Sequence, residues 1–209
     1  MEIITIKDIA KALNLSTSTV SRALRGSYEI NAETKRLVVE YAERMNYRPN
    51  PIALSLKESR SRSVGVIVPE IANNFFSQAI NGVESIASIR GYQVIISQNN
   101  ESCERERISV QYLAQRRVDG LLVSLSGENN DLVHFKELQA KGLPIVFFDR
   151  VPQNFDTHKV TADNFVGAYQ ATEHLIKQGY RQIAHLTSPS WLSITHERLA
   201  GYKQALQKL

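Results

Sequence analysis

The stretch Thr5-Ile6-Lys7-Asp8-Ile9-Ala10-Lys11-Ala12-Leu13 runs through Asn14 into Leu15-Ser16-Thr17-Ser18-Thr19-Val20-Ser21-Arg22-Ala23-Leu24. Ile6, Ile9, Ala10 and Leu13 recur at helical spacing and form one apolar face. Thr5 stands where a cap belongs, and Asp8, three residues on, completes a capping box. Ser16 caps a second helix whose Val20 and Leu24 face inward, and Gly26 is placed to end it. Asn31 caps a third helix with the stripe Leu37, Val38, Tyr41, Ala42 and Met45. Arg48-Pro49 closes it, because a residue before proline avoids the helical region. Two short amphipathic helices joined by a tight turn can lay the second into a DNA major groove.

The residues this second helix turns outward are Thr17, Ser18, Ser21 and Arg22. Short hydroxyls reach base edges or phosphates, and a guanidinium can pair two-pronged with a guanine edge. The same residues also suit an ordinary solvated helix face. Charge weighs on the choice. The chain carries +4; residues 1–62 hold 11 Lys/Arg against 7 Asp/Glu, and the other 147 residues hold 14 of each. The whole positive excess therefore sits on the segment proposed to meet phosphate.

The octet Asn50-Pro51-Ile52-Ala53-Leu54-Ser55-Leu56-Lys57 comes next, and the polar run Glu58-Ser59-Arg60-Ser61-Arg62-Ser63 reads as a linker. Eight residues are too few for a stable isolated helix. Such a segment can order on DNA or against a twin copy, with Leu56 wedged between base steps from the minor groove.

Beyond residue 62 strands and helices alternate. Val64–Val68, Tyr92–Ser97, Gly120–Leu125, Pro144–Phe148 and Gln182–Thr187 read as strands, with a short extended piece at Val160. Helices are expected over Phe75–Arg90 (Phe76, Ala79, Ile80, Val83, Ile86 and Ala87 inward), Glu104–Arg116 (Ile108, Tyr112 and Leu113 inward), Leu132–Ala140, Phe165–Gln178 and Glu197–Lys208. This alternation implies a parallel α/β sheet. In such sheets ligands bind beyond the carboxyl ends of the strands, which gathers Phe75, Asp149, Arg150 and residues 188–198 near one crevice.

The pieces T-I-K-D-I-A, L-S-x-x-T-V-S-R-A-L, Y-R-P-N and A-L-S-L-K together resemble the head and hinge of the LacI/GalR family of bacterial transcription regulators. The likeness runs on through S-V-G-V-I-V-P, N-F-F, R-R-V-D-G-L-L-V, F-F-D-R, A-D-N, G-A-Y-x-A-T-E-H-L and E-R-L-A-G-Y. The resemblance implies a small all-α helix-turn-helix head (1–49), a hinge and linker (50–62), and a periplasmic-binding-protein-like parallel α/β effector domain. That domain's first subdomain would span 63–162 and its second would begin at 163–209, incomplete at the C-terminus. A DNA-contacting set of Thr5, Thr17, Ser18, Ser21, Arg22, Asn31, Tyr47, Asn50, Ala53, Leu56 and Lys57 is implied with it. Carried over to the effector side, Phe75 is the aromatic beside the ligand, and Asp149 and Arg198 grip its hydroxyls. Arg150 and Trp191 are further candidates that equally suit packing or solvent. Phe75 as core and Asp149–Arg198 as a structural pair is the alternative. An aromatic face with one carboxylate and one guanidinium suits a polyol or glycosidic ligand. Asn73-Asn74 stands where the family often carries a proline.

The function this implies is a repressor that binds double-stranded operator DNA as a homodimer, through hinge and effector domain, under control of a carbohydrate-like small molecule. A free-standing solute-binding module and an inactive shortened regulator are the alternatives. An enzyme is not expected, since no G-x-G-x-x-G, phosphate-binding loop or G-x-S-x-G elbow follows a strand. No cofactor is expected, and no metal, because the five histidines form no H-x-x-x-H pair. Cys103 is the single cysteine, which excludes an internal disulfide and suits a reducing cytoplasm. Neither a signal peptide nor a membrane span is expected.

Overall fold

The chain divides into two compact units, residues 1–59 and 60–209. The computed structural model describes residues 4–48, 60–127 and 131–208. Asn50, Ala53, Leu56 and Lys57 lie outside the described residues.

The first unit holds α1 (Ile6–Ala12), α2 (Thr17–Leu24) and α3 (Ala32–Arg44). Helices of this length do not hold alone in water, so their caps and one shared core must stabilise them. The Thr5 backbone N–H and hydroxyl both donate to Asp8, at 2.8 and 2.6 Å. Ser16 accepts from the Thr19 N–H at 3.0 Å, and Asn31 from the Thr34 N–H at 2.7 Å. Ile9, Val20 and Val38 have no exposed surface and meet, one from each helix, with Ala10, Ala23 and Ala42 between them. The third helix ends earlier than Arg48-Pro49 suggested. Asn46 takes a left-handed turn (φ 50°), and the Tyr47 N–H returns to the Ala42 carbonyl at 2.8 Å. Leu37 and Met45, expected in the apolar stripe, lie on its exposed margin.

The second unit carries β1 (Ser63–Val68), α4 (Asn74–Ile89), β2 (Gln93–Gln98), α5 (Cys103–Gln115), β3 (Gly120–Val123), α6 (Val133–Ala140), β4 (Ile145–Phe148), β5 (His158–Val160), α7 (Asn164–Lys177) and α8 (Ser193–Leu206). Its five strands run parallel in the order β2-β1-β3-β4-β5. Alternate residues of β1, β3 and β4 feed two cores, while β5 is exposed along its length. Ile67, Leu121, Val123 and Phe147 pack with Val110, Leu113 and Phe135 on one face; Val66 and Val68 pack with Phe76 and Ile80 on the other. Rings of Phe135, Phe147 and Phe155 meet edge to face at 5.1 and 5.4 Å across the first core. Ser61 and Arg62, read as linker, are fastened to this unit: their N–H groups donate to the Asp119 carboxylate at 2.7 and 3.1 Å.

Three expectations are corrected. On α5 the buried stripe is Glu106, Val110 and Leu113, while Ile108 and Tyr112 face outward, half exposed. On α4, Ile86 is exposed, although Phe76, Ile80 and Ala87 are buried as expected. Residues 182–187 form no strand. A strand needs a ladder partner, and here α8 side chains hold the segment instead. The Tyr202 hydroxyl donates to the Ile183 carbonyl at 2.6 Å, and its ring stacks on His185.

Helices α7 and α8 lie in direct contact. Their approach depends on Gly201, because a Cβ there would overlap the Phe165 carbonyl on α7. One turn earlier on α8, Arg198 Nε donates to Asn164 Oδ1 at 2.8 Å. Gly201→Val is therefore expected to force the helices apart and destabilise the second unit by about 1–3 kcal/mol. Denaturant unfolding followed by far-UV circular dichroism checks this.

Candidate functional site

Each unit carries one candidate site. On α2 the inward positions Val20 and Ala23 are buried, whereas Thr17, Ser18 and Arg22 are exposed and Ser21 is half-buried. The outward face holds no carboxylate; Arg22 and Arg25 are its charges. Arg22 Nη1 lies 2.9 Å from Glu29 Oε2, with both side chains about half exposed (46% and 48%). The Ser18 hydroxyl is 2.8 Å from that of Ser16, so the cap residue also orients it. Thr5 and Asn31 are exposed, but their side-chain oxygens are committed to helix caps. Tyr47 packs partly against the three-helix core, and burial raises its hydroxyl above the ordinary range.

In the second unit, the carboxyl ends of β3 and β4 face the start of α8 across a crevice. A cavity of about 390 Å³ opens there, lined among others by Ser126, Gly127, Arg150, Trp191, Ser193 and His196. Arg150 is its most constrained group. Its Nη1 lies 2.7 Å from both Glu101 carboxylate oxygens. Its guanidinium stands 5.8 Å from the Phe76 ring centre and 6.0 Å from that of Trp191. Its buried Nε has no hydrogen-bond partner among the described residues. Glu101 also accepts from the Gly127 N–H at 3.0 Å. Gly127 is glycine for a steric reason: a Cβ would collide with the Trp191 indole.

Behind this crevice, the fully buried Glu106 accepts from the Ser126 N–H at 2.7 Å and so holds the loop after β3. Asp149 sits at the end of β4 in a left-handed conformation (φ 58°). Burial pushes its carboxyl above the ordinary range, and the neighbouring Arg150 and Arg198 guanidinium groups only partly offset this. Arg198 is drawn toward Asn164.

The five effector residues expected from sequence are thus not brought together equally. Arg150 and Trp191 line the cavity, whereas Phe75, Asp149 and Arg198 are outside its lining. Phe75 is 52% exposed and meets Phe76 edge to face at 5.4 Å. Of the two adjacent phenylalanines, Phe76, buried in the core as periodicity predicts, is the one beside Arg150. His196 falls within the 188–198 stretch expected at the crevice, whereas Gly127, Glu101 and Asn164 are site residues that the sequence reading lacks. Asn164 lies within the A-D-N motif and could have been found there; Glu101 carries no local signal.

Residues 5–50 match the family described as bacterial regulatory proteins, lacI family, and residues 61–209 match periplasmic binding proteins and sugar binding domain of LacI family. The chain belongs to the LacI family. It is 34% identical over 204 residues to the ribose operon repressor of Halalkalibacterium halodurans, covering 98% of this chain and 60% of that protein. Among solved structures, the lac repressor dimer bound to operator and the anti-inducer ONPF superposes with a TM-score of 0.85 at 27% identity, over 99% of this chain and 62% of that one. The transcriptional regulator CelR–cellobiose complex superposes with a TM-score of 0.61 at 30% identity, over 98% of this chain and 62% of that one. The chain therefore spans about 60% of the length of the curated relatives it matches. These relatives are named as repressors and transcription regulators. No helix among the described residues is long and apolar enough to cross a membrane.

The Asp149 environment yields a pH prediction. Burial disfavours the charged carboxylate, so the folded state binds this proton more tightly than the unfolded chain does. Stability is then lost as pH rises from the ordinary aspartate value near about 4 through the raised one. Asp149→Asn keeps the size, tolerates the left-handed backbone and removes the charge. The variant is expected to melt above the parent at pH 7, with the difference shrinking toward about pH 4, as measured by thermal unfolding of both proteins across that range.

Proposed function

We propose that the chain is the DNA-reading and effector-sensing part of a cytoplasmic transcription repressor. The observation that carries this reading is α2: its inner face is locked into the head core, and its own outward residues are hydroxyls and cations, with Arg22 paired to Glu29. Thr17, Ser18, Ser21 and Arg22 read base edges in the major groove, and Arg22 takes a guanine two-pronged. Thr5, Asn31 and Tyr47 hold the helices in register and touch the backbone near their caps. Asn50, Ala53, Leu56 and Lys57 form the hinge contact, with Leu56 at the minor groove. The functional division is a head over 1–49, a hinge and linker over 50–62, a first subdomain over 63–162 and the start of a second over 163–209. Two copies pair through hinge and effector domain on a near-palindromic operator.

The effector is a small carbohydrate or similarly hydroxylated metabolite bound at the crevice. Support comes from the cellobiose held by one similar regulator, the ribose operon named for another relative, and the sugar-binding description of the matched family. It also comes from Arg150 Nε, a buried polar atom of the cavity lining without a partner among the described residues. A hydroxyl-rich ligand satisfies such a group, and leaving it bare is costly. Trp191 supplies an apolar face and Arg150 a polar grip from the cavity lining; Phe75, Asp149 and Arg198, proposed to act with them, lie outside that lining. Binding there shifts the balance between DNA-competent and incompetent arrangements.

The test is equilibrium binding of parent and Arg22→Ala chains to a duplex carrying the preferred sequence and to unrelated duplex, at several salt concentrations. Arg22→Ala is expected to cost about 1–3 kcal/mol on the preferred duplex and little on unrelated DNA. Parent affinity should fall steeply with salt as counterions are released. Equal loss on both duplexes, or no salt dependence, removes the reading.

A further inference from the structure

We propose that Glu29 is a positioning residue for base readout: it holds the Arg22 guanidinium in the orientation that reads a guanine. The inference rests on the proposal that Arg22 meets a base edge.

A carboxylate at this place is unexpected on electrostatic grounds. From Ile9 to Tyr28 the sequence holds Lys11, Arg22 and Arg25 and no acid, as suits a surface that approaches phosphate. Glu29 interrupts that pattern next to the cation that matters most. Its carboxylate reduces attraction to any DNA, so its placement calls for a compensating role.

The backbone delivers Glu29 to Arg22. Gly26 turns the chain in the left-handed region (φ 75°), and the Ser27 N–H bonds to the carbonyl of Arg22 itself at 3.0 Å. Lys35 Nζ clamps the Gly26 carbonyl at 2.8 Å. On the far side of Glu29, Ile30 packs against the head core and Asn31 caps α3. Glu29 is thus anchored on both sides, and its side chain spans back to Arg22 Nη1 at 2.9 Å. Exposed ion pairs of this kind add little to folding stability. Their effect on recognition is separate. With Nη1 held, Nε and Nη2 still present a two-donor edge to guanine O6 and N7. A guanidinium already held in place loses less rotamer freedom on binding.

Glu29 therefore gives up general affinity for DNA in exchange for discrimination at one base pair. Removing it has two opposite consequences, which a purely structural or purely repulsive role would not produce together.

The experiment selects bound sequences from a random duplex library with parent, Arg22→Ala, Glu29→Ala and Glu29→Gln chains, and measures affinities for the parent's preferred duplex and for a scrambled duplex. Circular dichroism confirms that each variant folds. Glu29→Ala is expected to relax selection at the same base pair that Arg22→Ala relaxes. It should weaken binding to the preferred duplex by about three- to tenfold, the cost of one unrestrained side chain, while scrambled-duplex binding tightens. Glu29→Gln keeps the acceptor and is expected to restore much of the selectivity. If Arg22→Ala relaxes a position and Glu29→Ala does not, the positioning role is overturned and Arg22 readout stands. Equal tightening of both duplexes by Glu29→Ala overturns the positioning role in the same way. If Arg22→Ala relaxes no position, base readout by Arg22 fails, and this inference fails with it.

Discussion

Ile9, Val20 and Val38, one from each helix and none with exposed surface, hold the head in place. Helices of seven, eight and thirteen residues gain too little from their own hydrogen bonds to persist separately. Burial of this trio fixes the rotation of α2 about its axis. Once Val20 and Ala23 point inward, Thr17, Ser18 and Arg22 must point out. The candidate readout surface is therefore a geometric consequence of core packing, and any slip in that core would turn the wrong residues outward.

The second unit follows a comparable rule on a larger scale. A parallel sheet buried on both faces leaves its strand ends as the natural place for polar groups. Glu106, Glu101 and Arg150 show how those ends are organised. Glu106 pins the loop after β3, Glu101 ties that loop to Arg150, and Arg150 lies between Phe76 and Trp191. Gly127 and Gly201 provide the close approaches that bring the Trp191 loop and α8 against their neighbours. At this crevice the buried Nε of Arg150 has no hydrogen-bond partner among the described residues.

Much of this was legible in the sequence because it is local. The caps Thr5–Asp8, Ser16 and Asn31 are decided within four residues, and the structure has all three. Strand runs such as Val64–Val68 announce themselves by continuous apolar character. What escaped was decided at long range. On α5 two apolar stripes compete, and the one carrying Glu106 is buried because that carboxylate finds the Ser126 N–H, twenty residues away. Residues 182–187 have strand-like composition but no strand beside them among the described residues. Periodicity placed Phe76 in the core, and the family resemblance placed Phe75 at the ligand, yet Phe76 is the one that supports Arg150. The Glu101–Arg150 pair spans 49 residues and has no sequence signature. Glu29–Arg22 is nearer, at seven residues, but needs the Gly26 turn to be seen.

The most direct measurement is selection of bound duplexes from a random library with the purified chain, followed by sequencing. A single enriched half-site, repeated with inverted symmetry, is the expected result on the proposal that α2 reads bases and two copies meet a two-fold site. Recovery of DNA with no enriched sequence would contradict base readout by α2 and leave only phosphate attraction.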